Sequence, residues 1–198
     1  MAKEPNRVGG ELKRIDGYPD HLSKIGLVIT DFASLEQRLC LTLWELIGDP
    51  SRADAVFWSL GSAKARCDVV RGVANEVLVG TDTMHRLKLE LVVCVKLFLT
   101  AAGKRNDLAH GQWGVPTTGG TDPFVSIKRP ATRSPVFERK YTITQLQAIA
   151  DEICFAEQRT GLLNGALGYF LRPDIWKSHT DKMRAEFPTH DAYFRKYE

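Results

Sequence analysis

From Pro19 to Leu46, apolar side chains recur at steps of three and four: Leu22, Ile25, Ile29, Phe32, Leu35, Leu39, Leu43 and Leu46. That period is the signature of an α-helix with one buried stripe, sustained here for about seven turns. A stripe this long must be covered by other apolar surface, which restricts the chain to architectures that pack helix on helix. Asp20 is placed to cap the start, and Gly48-Asp49-Pro50 stops the pattern.

The same period returns three more times. A second helical region covers about residues 52–79 and is broken at Gly61. A third, capped by Thr81 or Asp82, runs to His110. Its middle is apolar nearly all round (Leu89, Leu91, Val92, Val93, Val95, Leu97, Phe98), which predicts a place at the bundle centre. A fourth, capped by Thr144, carries Leu146, Ile149, Ile153, Phe155, Leu162, Leu163, Leu167 and Phe170 and ends at Pro173. Residues 111–123, rich in Gly, Thr and Pro, read as loop. "FVSIKR" and "VFERKYT" read as strands joined by "PATRSP", a hairpin over about 124–141.

The predicted fold is therefore all-α: an antiparallel four-helix bundle with a small β-hairpin before the last long helix. Residues 1–18 form a flexible polar arm, 19–172 the helical domain, and 173–198 a short helical extension with a polar, aromatic end. The N-terminal stretch lacks the apolar core of a signal peptide, and no run of about 18 apolar residues occurs, so a cytoplasmic protein without membrane contact is expected. Cys40, Cys67, Cys94 and Cys154 are far apart in sequence and lie in apolar helical patterns, as buried free thiols do. His21, His85, His179 and His190 have no metal-ligand spacing and read as surface residues. No glycine-rich phosphate loop or nucleophile elbow is present, and neither metal nor cofactor is expected. The net charge, 27 − 24 = +3, permits a polyanionic partner without requiring one.

The third helix ends in "GKRNDLAHGQW", residues 103–113. Five residues separate Arg105 from His110, so on a regular helix their side chains diverge by about 140° and sit roughly 7.5 Å apart along the axis. Asn106 and His110 are one turn apart and share a face. Arginine grips phosphate oxygens by a bidentate fork, and histidine exchanges protons near neutrality. A phosphate clamp beside an acid–base group is sufficient for metal-free RNA cleavage by the ribose 2′-hydroxyl. Two helix ends meeting across a two-fold axis would supply both an acid and a base. The structural alternative is that Lys104 and Arg105 complement the helix dipole and that Gly111 is a left-handed helix stop.

"RNDLAHG" resembles the Arg-(four to six residues)-His signature of the HEPN superfamily, in which the motif lies near the end of the third long helix and one more follows. "FASLEQRLCLTLWELIG" is similar to the first helix of HEPN-like bacterial proteins, and the resemblance covers about residues 20–171. It implies a homodimeric bundle with facing motif helices, acting as a metal-independent endoribonuclease in toxin–antitoxin, phage-defence or RNA-processing systems. Arg105 and His110 would be the catalytic pair and Asn106 the residue that orients them. An antitoxin or other regulatory protein is a further implied partner. The competing expectation is a non-catalytic dimer that binds RNA or a protein.

Around this motif, the hairpin residues Lys128, Arg129, Arg133, Arg139 and Lys140 form a candidate basic lip for RNA phosphates. Lys64 and Lys104 are further candidate phosphate contacts. Trp113 is placed either to stack a base or to cover the bundle end. Glu36, at the edge of the first stripe, is a candidate to aim Arg105, and Asp107 faces away from His110 and reads as exposed.

Overall fold

A computed structural model describes residues 10–11, 15–116, 123–127, 137–186 and 188–197. The chain is an all-α helical bundle carrying a small sheet. Its helices are α1 (Pro19–Ile47), α2 (Pro50–Ser59), α3 (Ala63–Val77), α4 (Asp82–His110), α5 (Ile143–Leu171), α6 (Pro173–Glu186) and α7 (Pro188–Phe194). The strands are β1 (Gly10–Glu11), β2 (Gln112–Pro116), β3 (Phe124–Ile127) and β4 (Phe137–Lys140). The residues group into two compact units, one of 1–30 and 103–151, the other of 31–102 and 152–198.

The helix boundaries follow local chemistry. Gly48 and Gly80 take φ of +77° and +93°, conformations that side chains with a Cβ disfavour, and they follow α1 and α3. Asp49 caps α2 by accepting from the Arg52 N–H, with Pro50 in the first turn. Ser62 caps α3 from beyond the break at Leu60–Ser62, where the expected second helix divides in two. Thr81, one of the two expected residues, caps α4 through the Met84 N–H. For α5 the cap is Thr142 and not Thr144. Its hydroxyl accepts from the Gln145 N–H at 3.2 Å, and the Gln145 amide oxygen accepts from the Thr142 N–H at 2.9 Å. This reciprocal pair satisfies two otherwise orphaned donors, which Thr144, already inside the helix, cannot do.

In the first unit, Ile25 and Val28 of α1, Leu108 of α4, and Leu146 and Ile149 of α5 are buried. In the N-terminal half of α1, Ile25 and Phe32 are buried as expected, but the other two positions shift by one residue, from Leu22 and Ile29 to His21 and Val28. Leu22 and Ile29 are exposed, and His21, expected at the surface, is buried. The His21 ring has a partner for its polar edge, Nε2 lying 3.1 Å from the Tyr141 carbonyl. The predicted hairpin is present, with Phe124 opposite Lys140 and Ile127 opposite Phe137. It belongs to a four-stranded antiparallel sheet in the order β1-β2-β3-β4. The span read as loop supplies β2, and Gly10–Glu11 of the expected arm supplies β1. Composition concealed both, because ladder pairing needs backbone groups and accepts Gly and a terminal Pro at short edges.

The second unit is the larger core. Phe32 and Phe98 pack at 5.4 Å between ring centroids, and Leu35, Leu39, Leu43, Phe57, Leu87 and Leu91 of the same unit are buried. Leu89, Val92 and Val93 of α4 and Phe155 of α5 are exposed, so α4 is not surrounded as its composition predicts. The aromatic end of the chain is core: Tyr193, Phe194 and Tyr197 are buried. Arg159 forms a bidentate pair with Glu90 at 2.5 and 3.0 Å. Cys40, Cys67 and Cys94 are buried free thiols that desolvation pushes up to about 12, while Cys154 is exposed. Among the described residues, no helix is long and apolar enough to cross a membrane.

The two threonines at the start of α5 separate the observed cap from the expected one. Thr142→Ala is expected to destabilise the protein by about 1 kcal/mol in urea denaturation. Thr144→Ala, at an exposed position, is expected to leave the midpoint nearly unchanged.

Candidate functional site

The motif occupies the last two turns of α4, within the first unit. The helix is continuous through His110, and the Gly111 N–H donates to the Asp107 carbonyl at 3.2 Å. Positive φ values among the described residues occur at Gly48 and Gly80, so Gly111 is not a left-handed stop. The chain passes from the helix into β2 in an ordinary backbone conformation.

Leu108 is the buried anchor of this helix end, with Ala101 and Ala102 one to two turns earlier. Burial of that face turns Gly103, Asn106 and His110 outward, and all three are exposed. Lys104, Arg105 and Asp107 are half-buried, so Asp107 is less open than expected. Arg105 lies off the Asn106–His110 face, but its Nη1 donates to Asn106 Oδ1 at 2.9 Å. Asn106, the acceptor of that bond, lies on the face that also carries His110.

A second tether lies just beyond. The Trp113 indole N–H donates to the Leu108 carbonyl at 3.0 Å, satisfying one of the last carbonyls of α4. The ring is half-buried and packs against Tyr141 at 6.2 Å between centroids. Trp113 therefore covers the helix end, one of its two expected uses. His110 is held between the Asp107–Gly111 closure and the Leu108–Trp113 bond, with its ring open to solvent.

The remaining candidates have their own partners or fall elsewhere. Glu36, expected to aim Arg105, has its carboxylate bonded by Arg66 Nη1 in the second unit. Arg66 is in turn stacked near Phe57 and Trp58 at 5.1 and 5.0 Å. Lys64 pairs with Asp68 at 2.5 Å and is exposed. Lys140 is exposed on β4, whereas Lys128, Arg129 and Arg133 lie outside the described residues. His85 is exposed and His190 half-buried. Among the described residues no group of three His, Cys, Asp or Glu side chains is placed to hold a metal ion.

The tie from Trp113 to Leu108 was not deducible from residue types, since it depends on β2 folding back against the helix end. Comparisons with family models, with curated proteins and with solved structures find no match for this chain.

Trp113→Phe keeps a smaller aromatic ring at the helix end and deletes the indole donor. Loss of one hydrogen bond to a helix-terminal carbonyl is expected to cost about 1 kcal/mol in chemical denaturation. Hydrogen exchange of the Gly111 amide is expected to accelerate as the last turn of α4 loosens.

Proposed function

We propose that this chain is a metal-independent endoribonuclease of the HEPN type, acting as a homodimer. The supporting observation is the 2.9 Å bond from Arg105 to Asn106 beside a solvent-open His110 at the end of a continuous helix. In this reading the guanidinium takes the phosphoryl oxygens of a bound RNA strand. One imidazole accepts the proton of the ribose 2′-hydroxyl as the new O–P bond forms. The imidazolium of the second copy donates a proton to the 5′ oxygen as the P–O bond to it breaks. The products are a 2′,3′-cyclic phosphate and a 5′-hydroxyl. Arg105 stabilises the charge that accumulates on phosphorus oxygens between these steps.

A second copy would also cover apolar surface, since α4 exposes Leu89, Val92 and Val93. Lys104 and Lys140 are the described cations closest in sequence to the motif and hairpin, and with Lys128, Arg129 and Arg133 they would track phosphates. The setting is a cytoplasmic toxin–antitoxin or phage-defence system, with the antitoxin as regulatory partner.

The test is cleavage of total RNA by purified protein. His110→Ala and Arg105→Ala are each expected to lower the rate by at least about 100-fold while the circular dichroism spectrum is retained. EDTA is expected to have no effect, and the 3′ ends are expected to be cyclic phosphates. Wild-type rates in the His110→Ala protein would overturn the assignment. Salt-sensitive RNA binding with no cleavage would instead favour the non-catalytic dimer.

A further inference from the structure

The second unit contains a cavity of about 790 Å³, within the range of small-molecule sites. None of its lining residues belongs to the Arg105–His110 motif. Its walls come from α1, α5 and the two C-terminal helices, and they include Trp44, Trp176, Phe194, Leu41 and Leu162. Trp44 and Trp176 are each half-buried, so part of each ring remains for contact.

Gly161 and Gly165 of α5 line the cavity, and the α5 glycines let neighbouring cavity-wall side chains approach the helix closely. Gly161, Gly165 and Gly168 recur at steps of four and three along one face. A Cβ at Gly161 would sit 3.6 Å from the Arg38 guanidinium, and one at Gly165 would sit 3.5 Å from the Phe194 ring. At Gly168 it would come within 2.9 Å of Trp176 Cγ, too close to tolerate without moving the indole. Three glycines in the middle of a helix disfavour it relative to alanine. Here each one seats a side chain that crosses the helix.

The charged lining residues Arg38, Glu45 and Glu157 are paired, and Gln158, Thr189 and His190 add polar groups to the wall. Arg38 Nε binds Glu157 at 2.6 Å, and buried Glu45 is bonded by Arg172. Asn164 uses both ends of its amide, accepting from Thr42 at 2.7 Å and donating to the Arg38 carbonyl at 2.9 Å. Burial holds the Glu45 carboxyl above its ordinary range, against the opposing pull of Arg172. A charged guest would meet no uncompensated counter-charge and would lose its hydration. An uncharged guest retains the full benefit of the aromatic walls, and the carboxylates offer acceptors for an N–H or O–H.

We propose that this cavity binds an uncharged planar aromatic molecule that carries a hydrogen-bond donor. Indole, tryptamine and indole-3-acetate share one ring and differ in charge, and they serve as probes in calorimetric and NMR titrations of the full chain. Indole is expected to bind saturably, with shifts at Trp44 and Trp176 and an affinity at least tenfold above either charged analogue. Gly168→Ala, which displaces Trp176, is expected to weaken indole by at least tenfold, whereas Gly72→Ala, with open space around it, leaves binding unchanged. Arg38→Met frees Glu157 of its counter-charge and is expected to reverse the order in favour of cationic tryptamine. Equal affinities for all three probes, no saturable binding, or an unchanged order in Arg38→Met would each overturn the proposal.

Discussion

The structure depends on burying one apolar stripe along each of three 29-residue helices, α1, α4 and α5. Burying a Leu or Phe side chain contributes roughly 1.5–3 kcal/mol, and no other interaction in the chain is available in such number. Phe32, Leu35, Leu39 and Leu43 on α1 meet this demand in the second unit, as Ile25 and Val28 do in the first. The Arg105–His110 motif lies on α4, and α1 and α5 contribute most of the cavity wall. The orientation of Asn106 and His110 follows from the burial of Leu108, because on a helix the choice of one inward face assigns all the others.

Polar ties then make the packing specific. Glu90–Arg159, Glu36–Arg66 and Glu45–Arg172 each connect elements far apart in sequence. Such partly buried pairs add little net stability, since desolvation offsets most of the attraction. Breaking one partner is costly, however, so they penalise alternative helix pairings. His21 has the same effect in the first unit, since its ring needs the Tyr141 carbonyl to be buried without loss.

The motif uses a different economy. Arg105 and His110 do not face each other on a regular helix, and the guanidinium donates instead to the short amide of the neighbouring Asn106. An amide oxygen accepts from a guanidinium without neutralising it, as Glu36 in the expected aiming role would have done. His110 is exposed at a helix end that the Trp113 indole tethers through the Leu108 carbonyl.

The three long helices, the breaks at Gly48 and Gly80, the hairpin strands and the location of the motif at the end of α4 were legible from residues alone, because periodicity and capping are local properties, whereas the full division of the second region and the second short helix of the tail were not. The position of the sheet edges, the face of α1 that turns inward, the burial of His21, Phe194 and Tyr197, and the exposure of Leu89 and Phe155 were not. Leu22 and Ile29 satisfy helical spacing as well as Val28 does, and only the partner surface decides between them. Likewise, Trp113 could be read as base-stacking or end-covering until β2 set its indole against the Leu108 carbonyl. The sequence by itself determined which segments are helical and which side chains could do chemistry; tertiary structure decided which faces meet, since burial is a property of pairs of surfaces and no single segment contains both.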